Sequence, residues 1–74
     1  MKIDVSKYVI EVLDVEGAWC GLDDVISLDY TTTTISADGK AIRRMVDHVA
    51  IDCIVDGQIT AMVYEPERVN LTRR

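Results

Sequence analysis

VAIDCIVDGQITAMVY, residues 49–64, is the stretch whose reading decides the fold. Two runs rich in Val, Ile, Thr and Tyr flank Asp56-Gly57. Gly takes a positive φ without steric cost and Asp tolerates one, so the pair suits a two-residue type I′ hairpin turn. A loop that short fixes the register. It sets Val55 opposite Gln58, Cys53 opposite Thr60, Ile51 opposite Met62 and Val49 opposite Tyr64. The other face then carries Ala50, Asp52 and Ile54 against Ile59, Ala61 and Val63. Both faces are mostly apolar, whereas a strand pair wetted on one side alternates apolar with polar. The sequence therefore predicts that each face is covered, one by the rest of the chain and the other by a second copy or a different partner.

Composition points the same way. Seventy-four residues make one domain, residues 1–74, near the lower size limit for a self-sufficient core. Apolar residues make up 49% of it, more than a body with so much surface can hide, which predicts an exposed apolar patch and self-association, a dimer being the simplest form. Ten Val, eight Ile and six Thr contrast with four Leu and no Phe. Side chains branched at Cβ are stiff at χ1 and fit a pleated surface.

The net charge is −5, with the acids concentrated in the first half. Neutralisation of phosphates needs a basic face, so nucleic acid is a poor partner for the whole chain. The acidic half suits a basic protein surface. Charges interrupt residues 1–16, which predicts no signal peptide, and no run is long enough to cross a membrane as a helix. Cys20 and Cys53 form no CxxC pattern and read as reduced thiols, Cys53 as a small core residue. A cytoplasmic setting is expected, that of a host cell if the source is viral.

Along the chain, residues 1–15 fit either a helix over 4–15, capped by Asp4 or Ser6, or a strand buried on both faces; Cβ branching favours the strand. Residues 16–24 form a connection in which Gly17 and Gly21 bracket Trp19, the one tryptophan. With no Phe present, Trp19 reads first as a core plug and second as an interface anchor. Residues 25–37 read as a strand, and Asp38-Gly39 as a second hairpin turn with one largely polar face. The rival reading of this segment is a helix over 38–48, with Ile42, Met45, Val46 and Val49 as its apolar stripe. Glu65-Pro66 stops the last long strand, and Val69–Leu71 offers a short edge strand.

Candidate chemistry is sparse. His48 is the sole histidine, and its neighbour Asp47 points to the opposite face of any strand, so no general base is assembled. Three Cys and His residues in total are too few for a structural zinc site. Asp23, Asp24 and Asp29 lack the spacing of a calcium loop. The glycines match neither a phosphate loop nor a dinucleotide fingerprint. No cofactor or metal is expected.

The expectation is thus a mainly β domain, a small antiparallel sheet or open barrel of four to five strands with room for one short helix. The alternative is α+β, with a helix at 38–48 or 4–15 packed on the sheet. The function expected is a non-catalytic protein-interaction module, with Trp19, Asp23, Asp24, Ile51, Met62 and Tyr64 as its interface residues. Small acidic domains of this kind are a common form of phage or mobile-element accessory protein that binds or inhibits a host factor, an association of class only. The alternatives are a structural subunit of a homo-oligomer or virion, and a small nucleic-acid-binding barrel using Arg43, Arg44, Arg68, Arg73 and Arg74.

Overall fold

A computed structural model describes the backbone of residues 1–74 and the side chains of all but residues 42–44. The chain forms β1 (Lys2–Ile3), a 3-10 turn at Val5–Lys7, β2 (Tyr8–Leu13), β3 (Trp19–Gly21), β4 (Val25–Ala37) and β5 (Lys40–Val55). It continues with β6 (Gln58–Tyr64), a second 3-10 turn at Pro66–Arg68, and β7 (Val69–Arg73). No α-helix is present among the described residues. The fold is mainly β and antiparallel, as the composition predicts, and it does not close into a barrel. One sheet has four strands in the order β1-β4-β5-β6, and a second has three in the order β3-β2-β7.

The hairpin at 49–64 has the register its turn dictates, with Val49 opposite Tyr64, Ile51 opposite Met62, Cys53 opposite Thr60 and Val55 opposite Gln58. Asp56 and Gly57 take φ of 50° and 76°, the two positive values of a type I′ turn. Asp38 and Gly39 repeat this geometry at 52° and 73°. The alternative helix at 38–48 is overturned, because the chain leaves this turn directly into β5, paired with β4 from Lys40 onward. The other helical alternative, 4–15, yields only the turn at Val5–Lys7 before β2 begins. There Asp4 does act as a cap, accepting from the Ser6 N–H.

The second hairpin departs from a simple register. Three shifts interrupt β4–β5, at Val25/Ser27, Thr31/Thr32 and Ile35/Ser36, so that Thr33 faces Met45 and Thr31 faces His48. β4 and β5 are 13 and 16 residues long, and every residue from Thr31 to Ala41 is exposed. Beyond the body they run on as a two-stranded arm, and the molecule measures 48 × 25 × 24 Å. Thr33 Oγ1 donates to the Asp47 carboxylate across the arm.

The core lies between the two sheets. Ile10 and Val12 of β2 meet Leu28 of β4 and Val49 and Ile51 of β5, and Cys53 of β5 is also buried. Tyr8, Val69 and Leu71 on one side and Met62 and Tyr64 on the other extend it. The second sheet thus covers one face of the 49–64 hairpin, and β2, β3 and the C-terminal β7 together build that cover. The reading of 69–71 as a short edge strand holds, widened to Val69–Arg73. No helix among the described residues is long and apolar enough to cross a membrane.

Candidate interaction surface

Side chains alternate across a strand, so a hairpin with one face buried presents the other. Val49, Ile51 and Cys53 point inward and are fully buried. The outward set is Ala50, Asp52 and Ile54 on β5 with Ile59, Ala61 and Val63 on β6. Ile59 is 72% exposed, Val63 68% and Ile54 45%. Among the described residues nothing covers Ile54, Ile59 or Val63. A patch of three branched aliphatic side chains around Ala61 is therefore wet, on the sheet that the sequence required to be covered on both sides.

The edge of that sheet is also open. Ile54 donates its N–H to the Asp24 carbonyl at 3.0 Å, away from β6. Ile54 and Ile59 are opposite each other and so form a non-hydrogen-bonded pair, whose polar groups point outward from the pair. By the same alternation Ile59, Ala61 and Val63 aim their N–H and C=O groups at the free side of β6. Their apolar side chains and their unpaired backbone groups thus belong to the same three residues.

Along the hairpin's own sequence, charge has one sign, although Arg68 follows directly and lines the groove beside Val63. Residues 45–67 contain no Lys or Arg and five acids, Asp47, Asp52, Asp56, Glu65 and Glu67. Asp52 is held by a hydrogen bond from Ser27 Oγ at 3.1 Å. At the Tyr64 end of β6 a groove of about 590 Å³ lies between it and β2 and β3, lined by the apolar Val12, Leu13, Val15, Val63 and Tyr64 and by Cys20, Asp14, Glu65 and Arg68. Arg68 is engaged there, donating to the Leu13 and Asp14 carbonyls.

The residues expected at the interface divide into two groups. Ile51 is 0% exposed and is a core residue, which corrects its placement at the surface. Met62 and Tyr64 lie on the same inward face, half-buried, with the Tyr64 hydroxyl donating to the Met62 sulfur at 3.5 Å. Trp19 is 47% exposed on the edge strand β3, so it is not the core plug that its size suggested. Asp23 and Asp24 are exposed in the connection before β4 and border a smaller cleft of about 280 Å³ that Arg74 also lines. The exposed aliphatic residues of the hairpin that were not among those expected at the interface are Ile54, Ile59 and Val63. A signal for them existed: of the two faces of the hairpin, theirs carries the one carboxylate, Asp52.

Among the basic residues, Arg74 donates to the Tyr8 carbonyl and Arg73 lies over the Tyr8 ring at 5.9 Å. With Arg68 they are tied to the body of the protein rather than presented together. Arg43 and Arg44 lie outside the described side chains.

Titratable groups cluster at the β2–β3 turn. Asp14 Oδ1 accepts from the Ala18 and Glu16 N–H groups, both at 2.9 Å. Chiefly the Ala18 bond holds its carboxyl below the ordinary value of 3.8. Ser6 does the same for Asp4 through its hydroxyl and then its N–H. The Cys20 thiol is pushed up from 9.0, first by desolvation and then by its hydrogen bond to Asp14, which keeps it protonated and a weak nucleophile. Cys20 is exposed, Cys53 is buried, and both are free thiols.

Fold and surface together define a small two-sheet antiparallel β domain with an open apolar edge. No family model, curated protein or solved structure matches the chain.

Proposed function

We propose that this chain is a non-catalytic protein-interaction module that binds a basic protein partner through the exposed face of β5 and β6. The observation that supports this reading best is the combination of exposed aliphatic side chains at Ile54, Ile59 and Val63 with five acids and no Lys or Arg along the same stretch of chain, residues 45–67. Burying such side chains drives association, and the carboxylates select the sign of the partner and speed its approach. Trp19, Asp23 and Asp24 lie elsewhere on the surface and are not needed by this reading. Blocking a host factor, as small acidic accessory proteins of phages and mobile elements do, is one way such a module would act.

The test compares the chain with the Ile59→Glu/Val63→Glu double variant on a partner recovered from the native host and identified. Binding that is kept by Trp19→Ala, lost in the double variant and steeply weakened by salt supports the proposal. Equal retention by the double variant overturns it.

A second reading, a subunit of a homo-oligomer, draws on the same uncharged strand. Two copies at −5 each repel, so added salt would strengthen self-association while weakening a basic partner. Sedimentation across a salt series separates the two.

A further inference from the structure

A sheet edge is a template for another strand, and proteins blunt it by shortness, charge, proline or bulges. The two sheets have four edge strands, β1, β6, β3 and β7. β1 has two residues and β3 has three. β7 carries Asn70 and Arg73, and Arg73 is drawn over Tyr8. The arm of β4 and β5 is broken by register shifts and bears Lys40 and Asp47. β6 alone has none of these devices. It runs for seven residues, Gln58–Tyr64, with no charge and no proline, and its pairing with β5 is unbroken. The three residues that face the open side, Ile59, Ala61 and Val63, make no other backbone hydrogen bond among those described outside the strands.

We propose that β6 receives an added antiparallel strand from a basic protein partner: an extended segment with apolar side chains at alternate positions and Lys or Arg at its ends. This rests on the interaction-module reading above and specifies its mode. Strand addition draws affinity from main-chain bonds and specificity from alternate side chains. Here the incoming residues opposite Ile59, Ala61 and Val63 would exchange backbone bonds with them and lay apolar side chains on the same outer face. The occupant is chosen by charge. Asp56 stands at one end of β6 and Glu65 and Glu67 at the other, so a second copy would bring like charges to both ends, whereas a cationic segment meets carboxylates there. The groove beside Val63 and Tyr64 is also lined by Asp14 and Glu65, carboxylates for the partner's cationic flank to meet, with Arg68 tied to backbone carbonyls beside them.

The test uses the full chain, labelled with 15N and methyl 13C, and a synthetic probe peptide, Lys-Lys-Val-Thr-Val-Thr-Val-Lys-Lys. The expected result is slowed exchange of the Ile59, Ala61 and Val63 amides on titration, with the Gln58, Thr60 and Met62 amides, already bonded to β5, unchanged. A Glu-ended version of the peptide should bind at least tenfold more weakly at low salt. Ala61→Pro removes only an outward N–H, which an edge strand tolerates, and should weaken the probe by about tenfold, as loss of a ladder bond predicts. Should that variant misfold, N-methylation of the central Val of the peptide makes the same cut from the other side.

Three results overturn the proposal. Methyl shifts at Ile59 and Val63 without amide protection, unaffected by Ala61→Pro, would mean a ligand lying across the face; the interaction module would survive and strand addition would not. Protection of the same amides without peptide, growing with chain concentration, would give the edge to a second copy. No shift with either peptide at millimolar concentration rejects strand addition directly, and the separate test with Ile59→Glu/Val63→Glu then decides the broader reading.

Discussion

The backbone N–H of Ile54 reaches the carbonyl of Asp24 at 3.0 Å, and this bond displays the phase that the Asp56-Gly57 turn imposes on the β5–β6 ladder. Because Ile54 turns its polar groups towards the connection before β4, its cross-strand partner Ile59 turns its own towards open solvent. The same alternation sends Ile51 into the core and leaves Ile59 outside. Residues of one type, one hairpin apart, therefore have opposite energetic roles.

Truncating them should separate those roles. Ile51→Ala removes a fully buried side chain and should cost about 2–5 kcal/mol, a large part of the stability of a domain this small. Ile59→Ala should stay within about 0.5 kcal/mol. Urea denaturation followed by circular dichroism measures both, and equal losses would mean that the two faces of the hairpin are assigned the wrong way round.

The two turns should differ in the same manner. Gly57 and Gly39 both have positive φ, and a Cβ on either would meet nothing within 4 Å, so the penalty of Gly→Ala is backbone strain of about 1–2 kcal/mol. Gly57→Ala should lower global stability by that amount, since its hairpin carries the core. Gly39→Ala should fray the exposed arm and leave the unfolding midpoint nearly unchanged. Amide exchange, residue by residue, distinguishes global from local loss.

Strong acid should loosen the β2–β3 turn. The folded Asp14 carboxyl is held below its ordinary 3.8 by accepted N–H bonds. Its contribution is therefore fully present above pH 3.8 and is lost as pH falls below that value through the lowered folded one. Asp4 follows the same sign. Amide protection at Glu16 and Ala18 should fall in that window. Asp14→Asn, which keeps an acceptor but cannot titrate, should abolish the pH dependence there.

Trp19 offers a direct optical check. Half-exposed on an edge strand, it should emit as a solvated indole and be quenched by acrylamide in the folded protein, with little further change on unfolding. A strongly blue-shifted, shielded emission would return it to the core-plug role.

Much of this architecture was readable in advance. Asp56-Gly57 and Asp38-Gly39 both make the turns that their φ preferences imply, and the register at 49–64 follows from loop length alone. The arm register did not follow, because a bulge inserts one residue without a compositional mark: neither the shift at Thr31/Thr32 nor that at Val25/Ser27 can be seen in the residue types. Trp19 misled because size suggests burial, while a three-residue edge strand gives it no second layer to sit beneath.

Local chemistry in the sequence thus determined strand content, turn positions and the excess of branched aliphatic surface, since each depends on residues a few positions apart. Only the tertiary structure decided which face of the 49–64 hairpin is dry. Both faces are apolar, so choosing between Ile51 and Ile59 requires knowing where β2 and β7 come to rest, and that depends on contacts spanning nearly the length of the chain.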